Sequence, residues 1–99
     1  MKYMLFMEAK EPIAENTEKI LALEKERVAK GLALGKYFKL GWHYSLLEPG
    51  VIFAIIEIDN EFEVLKWATD YLPLAKVKAV PIVEQAEFIK KMGRPAWLP

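Results

Sequence analysis

The stretch VIFAIIEI, residues 51–58, constrains the fold more than any other part of the chain, because it is apolar at every position except Glu57. A strand that packs on one face only alternates apolar and polar residues, and this stretch does not. Its two faces would consist of Val51, Phe53 and Ile55 on one side and Ile52, Ala54 and Ile56 on the other. The pattern therefore predicts a strand that is covered on both faces.

Length and composition exclude several classes of protein. A chain of 99 residues with 54% apolar residues predicts one domain, with a core at 1–83 and a C-terminal helix and tail at 84–99. The 14 basic and 14 acidic residues balance, so we expect neither nucleic acid nor an anionic membrane as a partner. The absence of cysteine and the presence of a single histidine exclude thiolate chemistry and a multi-histidine metal site, and we expect no cofactor.

Two expectations concern the setting in which the protein works. The apolar N-terminal run is short and is followed by Glu8 and Glu11, so it predicts a strand rather than a signal peptide, and we expect a cytoplasmic protein. Lys and Glu dominate the polar residues, which is typical of a thermophile.

Apolar runs and turn residues predict the order β-α-β-β-α-β with a C-terminal addition. We expect strands at 3–7, 36–47, 51–58 and 75–83, helices at 13–35 and 60–72, and a short helix at 84–92. Gly41 suggests a bulge in the second strand, and the LEPG turn before Val51 predicts a hairpin.

The helix ends and the apolar faces of the helices follow from spacing. The first helix would begin at Pro12 or Asn16 and end at Gly35, and Asn60 with Glu63 would form a capping box for the second. Spacing near 3.6 residues assigns the core-facing stripes to Ile13, Thr17, Leu21, Val28 and Leu32 in the first helix and to Leu65, Ala68 and Leu72 in the second.

This order of elements predicts a ferredoxin-like α+β sandwich, whose antiparallel sheet has the strand order 4-1-3-2. We expect strands 1 and 3 to be central and parallel to each other, and strand 4, which contains Pro81, to lie at an edge. Both helices would cover one face of the sheet. A second copy of the chain would cover the other face, giving a homodimer; alternatively, the C-terminal helix and the Trp97 tail fold back over it.

Several short motifs resemble known families. Gly41-Trp42-His43, Glu57-Ile58-Asp59, Trp67 and Val80-Pro81 are similar to an uncharacterised family of short proteins known only as a domain of unknown function. Met4-Leu5-Phe6, Gly35 with Tyr37, and Leu72-Pro73-Leu74 resemble muconolactone isomerase more distantly. Both resemblances fall within the dimeric α+β barrel superfamily. This implies a homodimer with a small apolar pocket and, in some members, a cofactor-independent isomerase or monooxygenase.

The candidate site residues are few. His43 is a candidate acid–base group and Glu57 a candidate base, if either faces an apolar pocket; otherwise they are surface or structural groups. Aromatic residues that could bind a planar ligand, or simply form core, are Trp42, Tyr44, Phe53, Trp67 and Tyr71. Arg27 and Arg94 could hold an anion or lie at the surface.

Three functions therefore stay open from the sequence. The first is a homodimer that binds a small apolar ligand at or near the sheet interface. The second is a cofactor-independent isomerase or monooxygenase that acts on an aromatic-derived molecule, and the third is a stand-alone ligand-sensing module.

Overall fold

The computed structural model of the chain describes residues 1–93. Its strands are β1 (Lys2–Ala9), β2 (Phe38–Tyr44), β3 (Val51–Glu57) and β4 (Ala75–Ile82), and its α-helices are α1 (Ile13–Ala29), α2 (Glu61–Tyr71) and α3 (Gln85–Met92). A short 3-10 helix (Leu34–Tyr37) precedes β2. The predicted order of elements is confirmed. None of the helices within residues 1–93 is long and apolar enough to cross a membrane.

The four strands form one sheet in the order β2-β3-β1-β4, which confirms the predicted order and puts Pro81 on an edge strand. The prediction that β1 and β3 run parallel is wrong, because every adjacent pair is antiparallel. The reason is topological. Helix α1 returns the chain so that β2 runs parallel to β1, and the β2–β3 hairpin then reverses the direction of β3.

Helices cover one face of this sheet. On that face Tyr3, Leu5 and Met7 of β1 are buried, and they form a core with residues of α1 and α2. Residues that alternate with them, such as Met4 and Phe6, are only half-buried. The two sides of β3 differ in the same way: Ala54 and Ile56, which face the helices, have no exposed surface, whereas Phe53 and Ile55 on the opposite side are half-buried. We call the second side, with Met4, Phe6, Phe53 and Ile55, the helix-free face.

Helix α1 buries a different stripe from the one predicted. Its buried residues are Asn16, Ile20 and Arg27. Of the predicted stripe, Thr17 is half-buried and the large apolar residues are exposed: Ile13 38%, Leu21 48%, Val28 60% and Leu32 55%. Polar residues can occupy a buried stripe when they are hydrogen-bonded, and the Asn16 side chain donates to the Lys10 carbonyl at 2.8 Å. The predicted end at Gly35 is also wrong, since α1 ends at Ala29 and Gly31 adopts a φ of 70°.

In helix α2 the N-cap is the predicted one, but the buried residues again differ from the predicted stripe. The Asn60 side chain accepts a hydrogen bond from the Phe62 amide at 3.0 Å, which confirms the N-cap. The Glu63 carboxylate instead accepts a bond from the Tyr37 hydroxyl at 2.7 Å, which ties α2 to the segment before β2. The buried residues are Val64, Trp67 and Tyr71, whereas the predicted Leu65 and Leu72 are exposed and Ala68 is half-buried.

Turns and the C-terminal segment complete the chain. The hairpin turn is confirmed: Gly50 has a φ of 78°, and a side chain there would crowd Ile13 of α1 at 3.1 Å. The register of β2 is irregular on either side of Leu40, close to the predicted bulge at Gly41. Helix α3 buries none of its residues. The Trp97 tail of the fold-back hypothesis lies outside the described residues, and so does Arg94.

Candidate functional site

A cavity of about 150 Å³ lies between the sheet and the two larger helices. Its floor is made of buried residues from four elements: Met7 of β1, Ile20 of α1, Leu34 of the 3-10 helix, and Trp67 and Tyr71 of α2. Its mouth is lined by Glu24 and Val28 of α1 and by Ala33 and Gly35 of the following segment. The volume is similar to that of apolar protein cavities that admit a single aromatic ring.

A row of four aromatic rings borders the cavity. The rings of Trp42 and Trp67 stack, with centroids 5.8 Å apart and an interplanar angle of 22°. Phe38 meets Trp42 edge-on at 5.8 Å, and Tyr71 lies 5.2 Å from Trp67. All four residues line the cavity. Such walls bind flat or cationic organic groups by dispersion and by the charge distribution of the rings.

Two titratable groups also line the cavity. Burial, with a smaller contribution from the nearby Glu24 carboxylate, raises the pKa of the Tyr71 hydroxyl to about 12. Burial also raises the pKa of Glu24. The Glu24 carboxylate has neither a hydrogen-bond partner nor an ion-pair partner within residues 1–93. This carboxylate is therefore available to a bound molecule.

Arg27 holds the two helices together beside the cavity. This residue is 8% exposed, and its guanidinium forms an ion pair with Asp70 of α2. A second guanidinium nitrogen donates to the Leu32 carbonyl at 3.0 Å, while Nε has no partner within residues 1–93. Ala33 and Leu34 come directly after Leu32, so the bond from Arg27 to the Leu32 carbonyl also fixes the segment at the mouth of the cavity. It does not itself line the cavity.

The candidate ligand-binding residues divide between the two faces of the sheet. Trp42 and Trp67 line the cavity together with Tyr71. Tyr44 is 62% exposed and borders a smaller pocket between α1 and the sheet. Phe53 lies on the helix-free face, in register with Phe6 of β1. The structure therefore brings three of the five aromatic candidates into one place.

The two candidate catalytic residues lie away from this cavity. His43 pairs with Phe53 in register, and the two rings stack at 5.6 Å, so the imidazole is on the helix-free face. Its Nδ1 is 2.7 Å from the Gly41 carbonyl oxygen. Glu57 pairs with Lys39 at 3.5 Å, four strand positions beyond Phe53, which is about 13 Å along the strand. Within one chain the structure does not bring His43 and Glu57 together.

Sequence reasoning missed Glu24 and Phe38 as cavity residues. Glu24 follows Ile20 by four positions and precedes Arg27 by three, so it lies on the buried side of α1. A search for helical periodicity that admitted polar residues would have found it. Within residues 1–93 there is no group of three or more histidine, cysteine, aspartate or glutamate side chains that could hold a metal ion.

The antiparallel βαββαβ sheet with helices on one face, and a cavity between the two layers, defines a small α+β protein of ferredoxin-like fold. The chain belongs to the family described as domain of unknown function DUF3303, whose family model matches residues 1–95. This confirms the resemblance to an uncharacterised family. A comparison with curated proteins and a comparison with solved structures each give no match.

Proposed function

We propose that the protein is a homodimer that binds a small, mainly apolar organic molecule in the cavity between its helices and its sheet. The observation that carries this proposal is the cavity of about 150 Å³ with its row of four aromatic rings. Ligand sites are concave, mostly apolar and furnished with a few polar groups, and Glu24 and Tyr71 supply such groups here.

Fluorobenzene is a suitable first probe, because it is a single aromatic ring whose binding can be followed through its fluorine NMR signal. We expect the signal to broaden and shift with the wild-type protein. Val28→Trp, at the mouth, should abolish this effect by filling the entrance. Ala22→Trp is the matched control: Ala22 is also exposed on α1 but does not line the cavity.

An unchanged fluorobenzene signal in the presence of folded wild-type protein would contradict the proposal. So would an equal effect with Val28→Trp and Ala22→Trp, because binding would then occur elsewhere. Circular dichroism melts of both variants verify that they fold.

The homodimer is supported by the helix-free face. Four strands of seven or eight residues give it an area of about 450 Å² per chain, and its central residues Met4, Phe6, Phe53 and Ile55 are only half-buried. Apolar patches of this size are at the upper end of what monomers expose. A two-fold axis would bury two identical faces against each other.

Helix α3 offers further apolar surface for the same contact. Its residues Phe88, Ile89 and Met92 recur at helical spacing; Ile89 is 37% and Met92 73% exposed. Two sheet faces alone amount to about 900 Å², less than the ~1,200 Å² at which specific interfaces usually begin. A contribution from α3 would raise the buried area into that range.

Catalysis by His43 has less support than binding. A cofactor-independent isomerase or monooxygenase with His43 as its acid–base group would need its substrate on the helix-free face, on the other side of the sheet from the cavity. If the protein were such an enzyme, His43→Ala would lose turnover while ligand binding in the cavity stayed unchanged.

A further inference from the structure

Glu24 is the only charged residue that lines the cavity within residues 1–93. It is half-buried and has neither an ion-pair partner nor a hydrogen-bond partner in that part of the chain. A carboxylate that is partly removed from water without a counter-ion raises the free energy of the empty protein. A positively charged ligand would remove this cost.

The basic residues near Glu24 do not fill that role. Arg27, one turn further along α1, directs its guanidinium to Asp70 and to the Leu32 carbonyl. Lys30, near the end of the same helix, pairs with Glu26 at 2.7 Å. No Lys or Arg of residues 1–93 lines the cavity. The negative charge at the mouth is therefore left for a molecule from solution.

The aromatic row lies next to this carboxylate. Glu24 is close enough to Tyr71 to influence the ionisation of its hydroxyl, and Tyr71 is followed in the row by Trp67 and Trp42. The faces of aromatic rings are electron-rich and attract cations, above all where water is largely excluded. A carboxylate and several indole and phenol rings around one small cavity are complementary to an ammonium group with apolar substituents.

We propose that the ligand of this cavity is a small organic cation, an ammonium bearing methyl or short alkyl groups, which is held by the Glu24 carboxylate and by the rings of Trp42 and Trp67. This inference rests on the proposed binding function of the cavity. It adds the charge and the chemical class of the ligand.

A matched pair of probes tests the charge directly. Choline and 3,3-dimethylbutan-1-ol have nearly the same shape, but only choline is charged, and each gives a sharp methyl singlet for saturation-transfer NMR. We expect choline to bind roughly tenfold more tightly than the alcohol. Glu24→Gln should remove this preference, because glutamine keeps the size of the side chain but not its charge. Glu26→Gln, on the exposed side of α1, should retain the preference.

The outcomes separate this inference from the proposed function. If the alcohol binds as tightly as choline, or if Glu24→Gln leaves the preference intact, the cation inference is wrong although the cavity binds small molecules. The same holds if neither probe binds while fluorobenzene does. If choline still binds to Val28→Trp, it binds outside the cavity and the inference is wrong. If none of the three probes binds the folded wild type, both proposals are wrong.

Discussion

The homodimer can be tested at Ile55, which lies near the centre of the helix-free face, between Met4 of β1 and Leu40 of β2. In a single chain Ile55 is half-buried, so a lysine there can extend its ammonium to water and Ile55→Lys should fold. In a dimer each copy would lose about 1 kcal/mol of apolar burial, and bringing an ammonium group to an apolar contact would cost about 1.5 kcal/mol more. The change occurs twice, which gives about 5 kcal/mol in total, or a 10³–10⁴-fold higher Kd.

Light scattering after size-exclusion chromatography measures the result. We expect the wild type to have twice the mass of one chain, 11.4 kDa, at micromolar concentration, and Ile55→Lys to have the mass of one chain. Leu65→Lys is the control, because Leu65 is 60% exposed on the outer side of α2 and should leave the dimer intact. A wild type that runs as a single chain would refute the reasoning, and so would a folded Ile55→Lys variant that keeps the wild-type mass.

Three further predictions follow from charged and titratable groups. Since burial raises the pKa of Glu24, ionisation of this carboxyl group disfavours the folded state. Glu24→Gln should therefore be more stable than the wild type at pH 7, by less than about 1 kcal/mol. The difference should vanish once the pH falls below the pKa of Glu24 in the unfolded chain, and urea unfolding at the two pH values measures it. In the folded chain the pKa of Tyr71 is raised to about 12, so as the pH rises the unfolded chain loses the hydroxyl proton before the folded chain does. The free energy of unfolding should therefore fall by on the order of 2 kcal/mol between pH 10 and 12. Tyr71→Phe should reduce this loss and Tyr44→Phe, at an exposed position, should not; equal losses in both variants would contradict the assignment. Arg27→Met removes the ion pair with the half-exposed Asp70 and should lower the free energy of unfolding in urea by about 1–2 kcal/mol. An unchanged urea midpoint would show that this ion pair does not stabilise the fold.

The strands could be predicted from the sequence, whereas the buried helix faces could not. Residues 51–56 are all apolar because β3 lies at the centre of the sheet, and Pro81 marks an edge because it lacks an amide donor. In α1, by contrast, the buried stripe contains Asn16 and Arg27, whose side chains bond to groups outside the helix, the Lys10 carbonyl and the Asp70 carboxylate. Apolar periodicity cannot reveal such partners, so it selected Leu21 and Val28, which are exposed.

Only part of the candidate site could be predicted, because residue type indicates an aromatic wall but not which aromatic residues meet. Trp42 and Trp67 were predicted from their type, and the structure stacks them beside the cavity. Phe53 was predicted from its type too, but the alternation of β3 directs it to the helix-free face. Which aromatic residues meet depends on the register of β2 against β3. That register is irregular on either side of Leu40 and cannot be read from spacing.

The irregular register of β2 has a consequence for how copies of this chain can associate. An edge strand whose pairing is interrupted is a poor template for a neighbouring strand, and β4, the opposite edge, carries Lys76, Lys78 and Pro81. Both edge strands of the sheet therefore disfavour pairing with a strand of another copy. Association through the helix-free face, as in the proposed homodimer, would close after two copies and would not extend into open-ended fibrils.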